Sequence, residues 1–298
     1  MKVLSCWQLY VLMIPALVWL ILFCYKPMYG VLIAFKDFKA RDGIMASPWA
    51  DPIWKYFDQF FSTSIAVTAI KNTIILSLEQ LVINFPIPII FALLLNQVKS
   101  NKARKFVQTV SYAPYFLSNV ILVSVMNLLF GANGVVNALI TGATGGSPVQ
   151  FTSAAEYFRP MYIGSTVWQS MGFNAIVYIA ALAGISPDFY EAAVVDGATK
   201  LQRIFYIDIP LIMPTVILML ILAIGQIMGL GYEKAFLMQT STNTTVSEII
   251  TTYTYKVGLQ GAQYSFATAV GLFNSVVNFV ILVLANFVSK KTADVSIF

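Results

Sequence analysis

Histidine is absent from the 298 residues. Metal sites built on imidazole, and acid–base catalysis by a side chain titrating near neutrality, are therefore unavailable. Charge is scarce as well. Asp, Glu, Lys and Arg make up 10% of the chain, against about 25% in an ordinary soluble domain, which is too little to cover the surface of a water-soluble protein of this length. The two cysteines, Cys6 and Cys24, both fall in or beside the first apolar run, where they read as small apolar packing residues rather than a redox or disulfide pair. No Gly-x-x-x-x-Gly-Lys-Ser/Thr occurs, so no P-loop cradles nucleotide phosphates, and any ATP-driven step must come from another chain. Neither a catalytic set nor a metal-ligand set is assigned.

What is there in abundance is apolar length. Hydrophobic residues make up 58% of the chain and fall into runs near the roughly 20 residues that a membrane-crossing helix needs. The expected fold is an all-α polytopic membrane protein with six transmembrane helices, over residues 7–23, 72–95, 106–130, 161–184, 214–232 and 266–288. The first run exceeds a signal-peptide core, and Tyr25-Lys26-Pro27 offers no small-residue cleavage site, so it is read as a retained helix.

Basic residues near span ends set orientation. Lys99, Lys102, Arg104 and Lys105 crowd the link between spans two and three, Lys200 and Arg203 follow span four, Lys290 and Lys291 follow span six, and Lys2 precedes span one. The other side holds as many cations: Lys26, Lys36, Lys39, Arg41, Lys55, Lys71, Arg159, Lys234 and Lys256. Those are spread among Asp37, Asp42, Asp51 and Asp58, however. Density at span ends thus places both termini in the cytoplasm. On the outer side, residues 52–61 gather Ile53, Trp54, Phe57, Phe60 and Phe61 on one side of a helix, which suits either the membrane interface or packing on neighbouring spans. Residues 131–160, Gly-rich over 142–146, read as a loop.

The segment 186–210 carries the most local information. Ser186 is a good N-cap, Pro187 suits the first helical position and Asp188 complements the helix dipole. Gly197 can take the left-handed conformation that ends a helix. Thr199 can cap a second helix, expected to stop before Pro210. Two short helices joined by a bend form a rigid elbow on the cytoplasmic side.

Glu191-Ala192-Ala193, Asp196-Gly197-Ala198, Gln202, Phe205, Ile209-Pro210 and Pro214 together resemble the EAA loop of binding-protein-dependent ABC importer permeases, with Ile209 where leucine is commoner. Lys71-Asn72-Thr73 and Tyr112-Ala113-Pro114-Tyr115 resemble the carbohydrate-uptake, maltose-permease-like branch. The segments Tyr25-Lys26-Pro27-Met28-Tyr29-Gly30 and Ala34-Phe35-Lys36-Asp37-Phe38 are similar to a narrower set serving oligosaccharide and polysaccharide fragments, uronate-containing ones included. The resemblance implies that Glu191, Ala192, Ala193, Asp196, Gly197, Ala198 and Gln202 couple the chain to an ATPase. Glu191 is then at the docking surface and Gly197 at the bend. It further implies a second, non-identical permease, two cytoplasmic ATPase subunits that bind ATP and magnesium in place of any cofactor here, an extracytoplasmic solute-binding protein and the bacterial inner membrane. Nucleic acid is not among the expected partners.

Polar groups within spans usually face a cavity or one another. The candidates are Glu79, Gln80, Asn84, Asn119, Asn127, Trp168, Gln169, Asn174, Gln226, Asn274 and Asn278, with Tyr232 and Glu233 at the outer end of span five. Amides beside a flat aromatic face suit sugar binding, so Trp168, Gln169 and Asn174 form one expected group. The resemblance adds that span four and the span after the elbow line the translocation cavity, which brings in Gln226 with Gln169 and Asn174. The competing reading is interhelical glue. Glu79, well inside a span, needs a partner across a subunit interface or access to water. Two rivals use different chemistry. An ion-gradient-driven secondary transporter would show inverted repeats and an ionisable relay, and the elbow would have no task. A membrane-embedded enzyme would need a clustered catalytic set.

Overall fold

The computed structural model describes residues 7–293 and Ser296; Lys2 and Cys6 lie outside them. Among the described residues all regular elements are helical, and extended backbone pairs only in one isolated bridge between Lys36 and Trp49. Six helical stretches are long and apolar enough to cross a membrane: Leu9–Phe35, Ser64–Asn96, Asn119–Thr144, Ala155–Ala183, Lys200–Ile224 and Tyr264–Thr292.

The third and fifth differ from the stretches expected above. A continuous third helix over 106–130 does not form. Asn101–Tyr112 is a separate helix carrying Lys102, Arg104 and Lys105, followed by a tight 3-10 turn, Ala113–Phe116. Pro114 lacks the N–H a continuing helix needs, and Leu117 and Ser118 are extended. Ser118 then caps a fresh helix, Asn119–Phe130, its Oγ accepting from the Ile121 N–H at 3.3 Å. The stretch after it, expected as a loop, contains the helix Val135–Thr144, whose apolar face (Val135, Leu139, Ile140) the glycines nearby do not outweigh.

The second helix of the elbow, expected to stop before Pro210, runs on instead. Lys200–Arg203 passes through a π turn, Ile204–Asp208, into Ile209–Ile224. In the wider turn the Ile209 N–H bonds the Ile204 carbonyl, so the loss of the Pro210 donor falls where the ladder is already shifted. The helix ends at Ile224, and residues 225–231 are irregular.

The chain divides into two compact units, Met1–Val67 with Tyr253–Asn274, and Thr68–Thr252 with Ser275–Phe298. In the first, Lys36 is 5% exposed and donates to the carbonyls of Ile44, Met45 and Ser47 at 2.9–3.1 Å, folding residues 36–50 around one ammonium. The Ser265 hydroxyl donates to the Lys36 carbonyl at 2.6 Å and accepts from the Phe38 N–H at 3.0 Å. The amphipathic helix Lys55–Ser62 packs on neighbouring elements through its apolar side. Phe60 is fully buried against Tyr253, Phe266 and Phe273, while Trp54 and Phe61 remain exposed. Cys24 is exposed on the first apolar stretch, not packed.

In the second unit one core cluster joins Leu76 to Phe158, Tyr162 and Ile163, and to Ala235 and Ile249. Another joins Ala92 and Leu93 to Ala175, Tyr178 and Leu182, and to Ile212. Gly172 permits the closest crossing: a Cβ there would lie 2.2 Å from the Ser111 carbonyl oxygen, so only glycine lets Asn101–Tyr112 lie against span four. The core therefore fixes three spans around a space between the clusters.

Candidate functional site

That space is a cavity of about 620 Å³, within the ~300–1,000 Å³ range of small-ligand sites. Gln169, Asn174 and Gln226 line it together, as do Gln80, Asn84 and Asn119. Gln169 divides its allegiance, its amide donating to the Leu117 carbonyl at 2.8 Å. Asn174 and Gln226 are exposed to the space. Neither Asn84 side-chain polar atom finds a protein partner among the described residues. Hydrogen-bonding capacity thus converges here beyond what helix packing consumes.

Trp168 is not in this group. It is 50% exposed and lines a separate apolar groove with Leu122, Met126 and Met161. Neighbours in sequence on a helix diverge by about 100°, so Gln169 and Trp168 face different ways. Aromatic rings in the cavity come from Phe85, Tyr162, Tyr178 and Phe173, the last stacked on Tyr115 with centroids 3.8 Å apart and planes 5° from parallel. Sequence reading missed Phe173; its spacing of four from Gln169 was the available signal. Asn119 binds Glu233 at 2.6 Å, and Asn278 accepts from the Met228 N–H at 2.9 Å, pinning the irregular segment after span five. Glu79 finds its partner within the chain: Arg159 lies 3.8 Å away, and Arg159 also reaches the Asn72 carbonyl oxygen of the side chain at 3.5 Å.

Lys234, counted above among the thinly spread outer cations, is the larger omission. It lies on the short helix Tyr232–Leu237, is 7% exposed and lines the cavity. Burial pushes its ammonium down to about 7. A lysine directly before the apolar Ala235-Phe236-Leu237 was the signal in the sequence.

The elbow is built as its residues dictate. Ser186 Oγ accepts from the Asp188 N–H, with Pro187 in the first turn of the helix Pro187–Val195. Gly197 has φ of +75°; its N–H bonds the Val194 carbonyl and the Ala198 N–H bonds the Ala193 carbonyl at 2.8 Å. That pair of bonds is a Schellman closure, which requires the left-handed residue. Thr199 and Gln202 then cap the next helix reciprocally: the Gln202 N–H donates to Thr199 Oγ1, and the Thr199 N–H donates to Gln202 Oε1 at 2.7 Å. Ala193 and Ala198 are half-buried in the bend, whereas Glu191, Ala192, Asp196, Gly197 and Gln202 are exposed. Around them stand Phe189, Val194, Val195, Leu201, Phe205 and Tyr206, each more than half exposed. These apolar side chains stand exposed on a turn whose shape the caps fix.

One buried acid holds the elbow to the spans. Asp208, fully buried, accepts from the Tyr190 hydroxyl at 2.6 Å and from the Gln97 amide at 3.2 Å. Burial, reinforced by the bond to Asp208, pushes the Tyr190 hydroxyl up to about 12. The first elbow helix, the π turn of span five and the end of span two are thereby one polar joint.

Residues 84–294, which hold most of the cavity lining and the whole elbow, match the family model described as binding-protein-dependent transport system inner membrane component. The chain belongs to that family. This inner-membrane permease is 39% identical over 291 residues to the polygalacturonan/rhamnogalacturonan transport system permease protein YteP of Bacillus subtilis (strain 168), spanning 97% of this chain and 90% of that protein. A crystal structure of a bacterial ABC transporter involved in the import of the acidic polysaccharide alginate contains a chain that superposes with a TM-score of 0.89 at 39% identity, covering 98% of both chains. The alginate ABC transporter in complex with an alginate pentasaccharide-bound periplasmic protein gives the same TM-score at 38% identity, over 99% of this permease and 98% of that chain. The permease is thus a transport subunit of the ABC type with six apolar helices of spanning length.

Proposed function

We propose that this permease carries acidic oligosaccharides inward across the bacterial inner membrane by alternating access, driven by ATPase subunits that bind ATP and magnesium in its place. The observation that carries the reading is the cavity itself, where the exposed amides of Asn174 and Gln226 offer hydrogen bonds beside the Phe173 ring. Uronate substrates accord with the polygalacturonan/rhamnogalacturonan named for YteP and the acidic polysaccharide named for the alginate transporter. Coupling runs through Glu191, Ala192, Ala193, Asp196, Gly197, Ala198 and Gln202, whose apolar surroundings suit the cleft of an ATPase. A second, non-identical permease completes the pathway, a periplasmic binding protein delivers the sugar, and both termini are cytoplasmic.

The test is uptake of tetragalacturonate into proteoliposomes holding the complex copurified with the tagged chain from its native membrane. The expected result is uptake that needs internal ATP and external binding protein. Uptake sustained by a proton or sodium gradient without ATP would sink the reading in favour of an ion-driven carrier.

A further inference from the structure

Among the residues lining the cavity, Lys234 alone is charged. Its Nζ donates to the Tyr162 carbonyl at 3.1 Å and to Thr166 Oγ1 at 2.6 Å, and stands 4.7 Å from the centre of the Tyr162 ring. Each of these partners is neutral. Charged groups on the surrounding elements are engaged elsewhere. Glu233, on the same helix, is exposed and accepts from Asn119 at 2.6 Å. Glu79 on span two faces Arg159 on span four at 3.8 Å, and Glu248 accepts from the Thr252 hydroxyl at 2.7 Å. Tyr232, on its own helix, is 41% exposed. No ion pair reaches Lys234 within 4.0 Å among the described residues.

A lysine normally extends its charge to water or pairs it. Lys234 does neither, and it retains a third N–H beyond the two it uses. An ammonium held at the wall of a cavity by neutral acceptors, with no anion of its own, is built for an anion that arrives. Phe173 and the amides of Asn174 and Gln226 then serve the uncharged part of the same ligand.

We propose that Lys234 reads substrate charge, its ammonium pairing with a carboxylate of the sugar unit held in the cavity. The inference rests on the cavity's proposed role in sugar transport. A neutral sugar of the same shape leaves the lysine unpaired and forfeits the charge-assisted bond.

The probes are tetragalacturonate and its methyl ester, titrated by calorimetry into the solubilised complete transporter without binding protein. Wild type, Lys234→Gln and Lys234→Arg are compared. Wild type should bind the acid at least tenfold more tightly than the ester. K234Q should erase that preference by weakening the acid alone, and K234R, which keeps the charge, should retain most of it. Equal weakening of acid and ester in K234Q would make the lysine a purely structural residue and overturn the proposal, as would an unchanged preference. If wild type binds neither probe while ATP-dependent uptake of the acid proceeds, the carboxylate is not read here and the proposal fails alone. Absence of that uptake removes the sugar-import reading, and this inference with it.

Discussion

At the scale of single residues, Gly197 and Tyr190 set the shape of the elbow by different physics. A side chain at φ +75° meets its own backbone, so Gly197→Ala should cost about 1–2 kcal/mol. A thermal-unfolding shift in detergent, with ATPase retention scored in parallel, checks this. Tyr190 acts through the buried acceptor it satisfies. Tyr190→Phe leaves Asp208 with Gln97 alone and should cost about 1–3 kcal/mol, the penalty of an under-satisfied buried acceptor. The pH dependence of that contribution has a definite sign. A hydroxyl raised from about 10 to about 12 contributes fully below pH 10 and loses its contribution as pH climbs through 12. The wild-type minus Tyr190→Phe difference should therefore be flat from pH 6 to 9.

At the scale of elements, the elbow was open to sequence reading because its signals are short-range. Ser186-Pro187, Gly197 and Thr199 with Gln202 each determine a cap within three residues, and all three caps formed. Pro210 misled because its cost is absorbed by a π turn, a device that single-residue propensities do not announce. On span four the residue types did not tell the faces apart: Gln169 entered the cavity and Trp168 another groove. Lys234 was the hardest, since its burial depends on Tyr162 and Thr166, some seventy positions earlier. The elbow's exposed apolar residues give an element-scale expectation. Val195, 87% exposed, contributes nothing to the chain's own core. Val195→Asp should therefore leave the permease folded while greatly reducing the ATPase that copurifies with it, judged by stoichiometry on a gel.

At the scale of the whole molecule, substrate charge and ambient pH become one variable. With the ammonium of Lys234 pushed down to about 7, its charged form is fully present below that pH and declines above it. A carboxylate ligand must then restore the proton, so affinity for tetragalacturonate should fall by up to tenfold per pH unit above about 7. The methyl ester should show no such slope in the same titration. Stability runs the opposite way. Between about pH 7 and the ordinary lysine value near 10.5 the unfolded chain holds a proton that the folded one releases, so burial of this lysine costs less as pH rises. Uptake of acidic sugar and resilience to unfolding should therefore diverge across that window. The helix that follows Thr199 carries a last consequence. Lys200–Ile224 is one unbroken helical rod of 25 residues, on the order of 37 Å at 1.5 Å per residue. Gln202 caps one end, and Gln226 faces the cavity just past the other. On the proposed coupling the rod is a crankshaft: torque at the elbow reaches the cavity along one helix, and the π turn and Pro214 are the joints where that torque can slip.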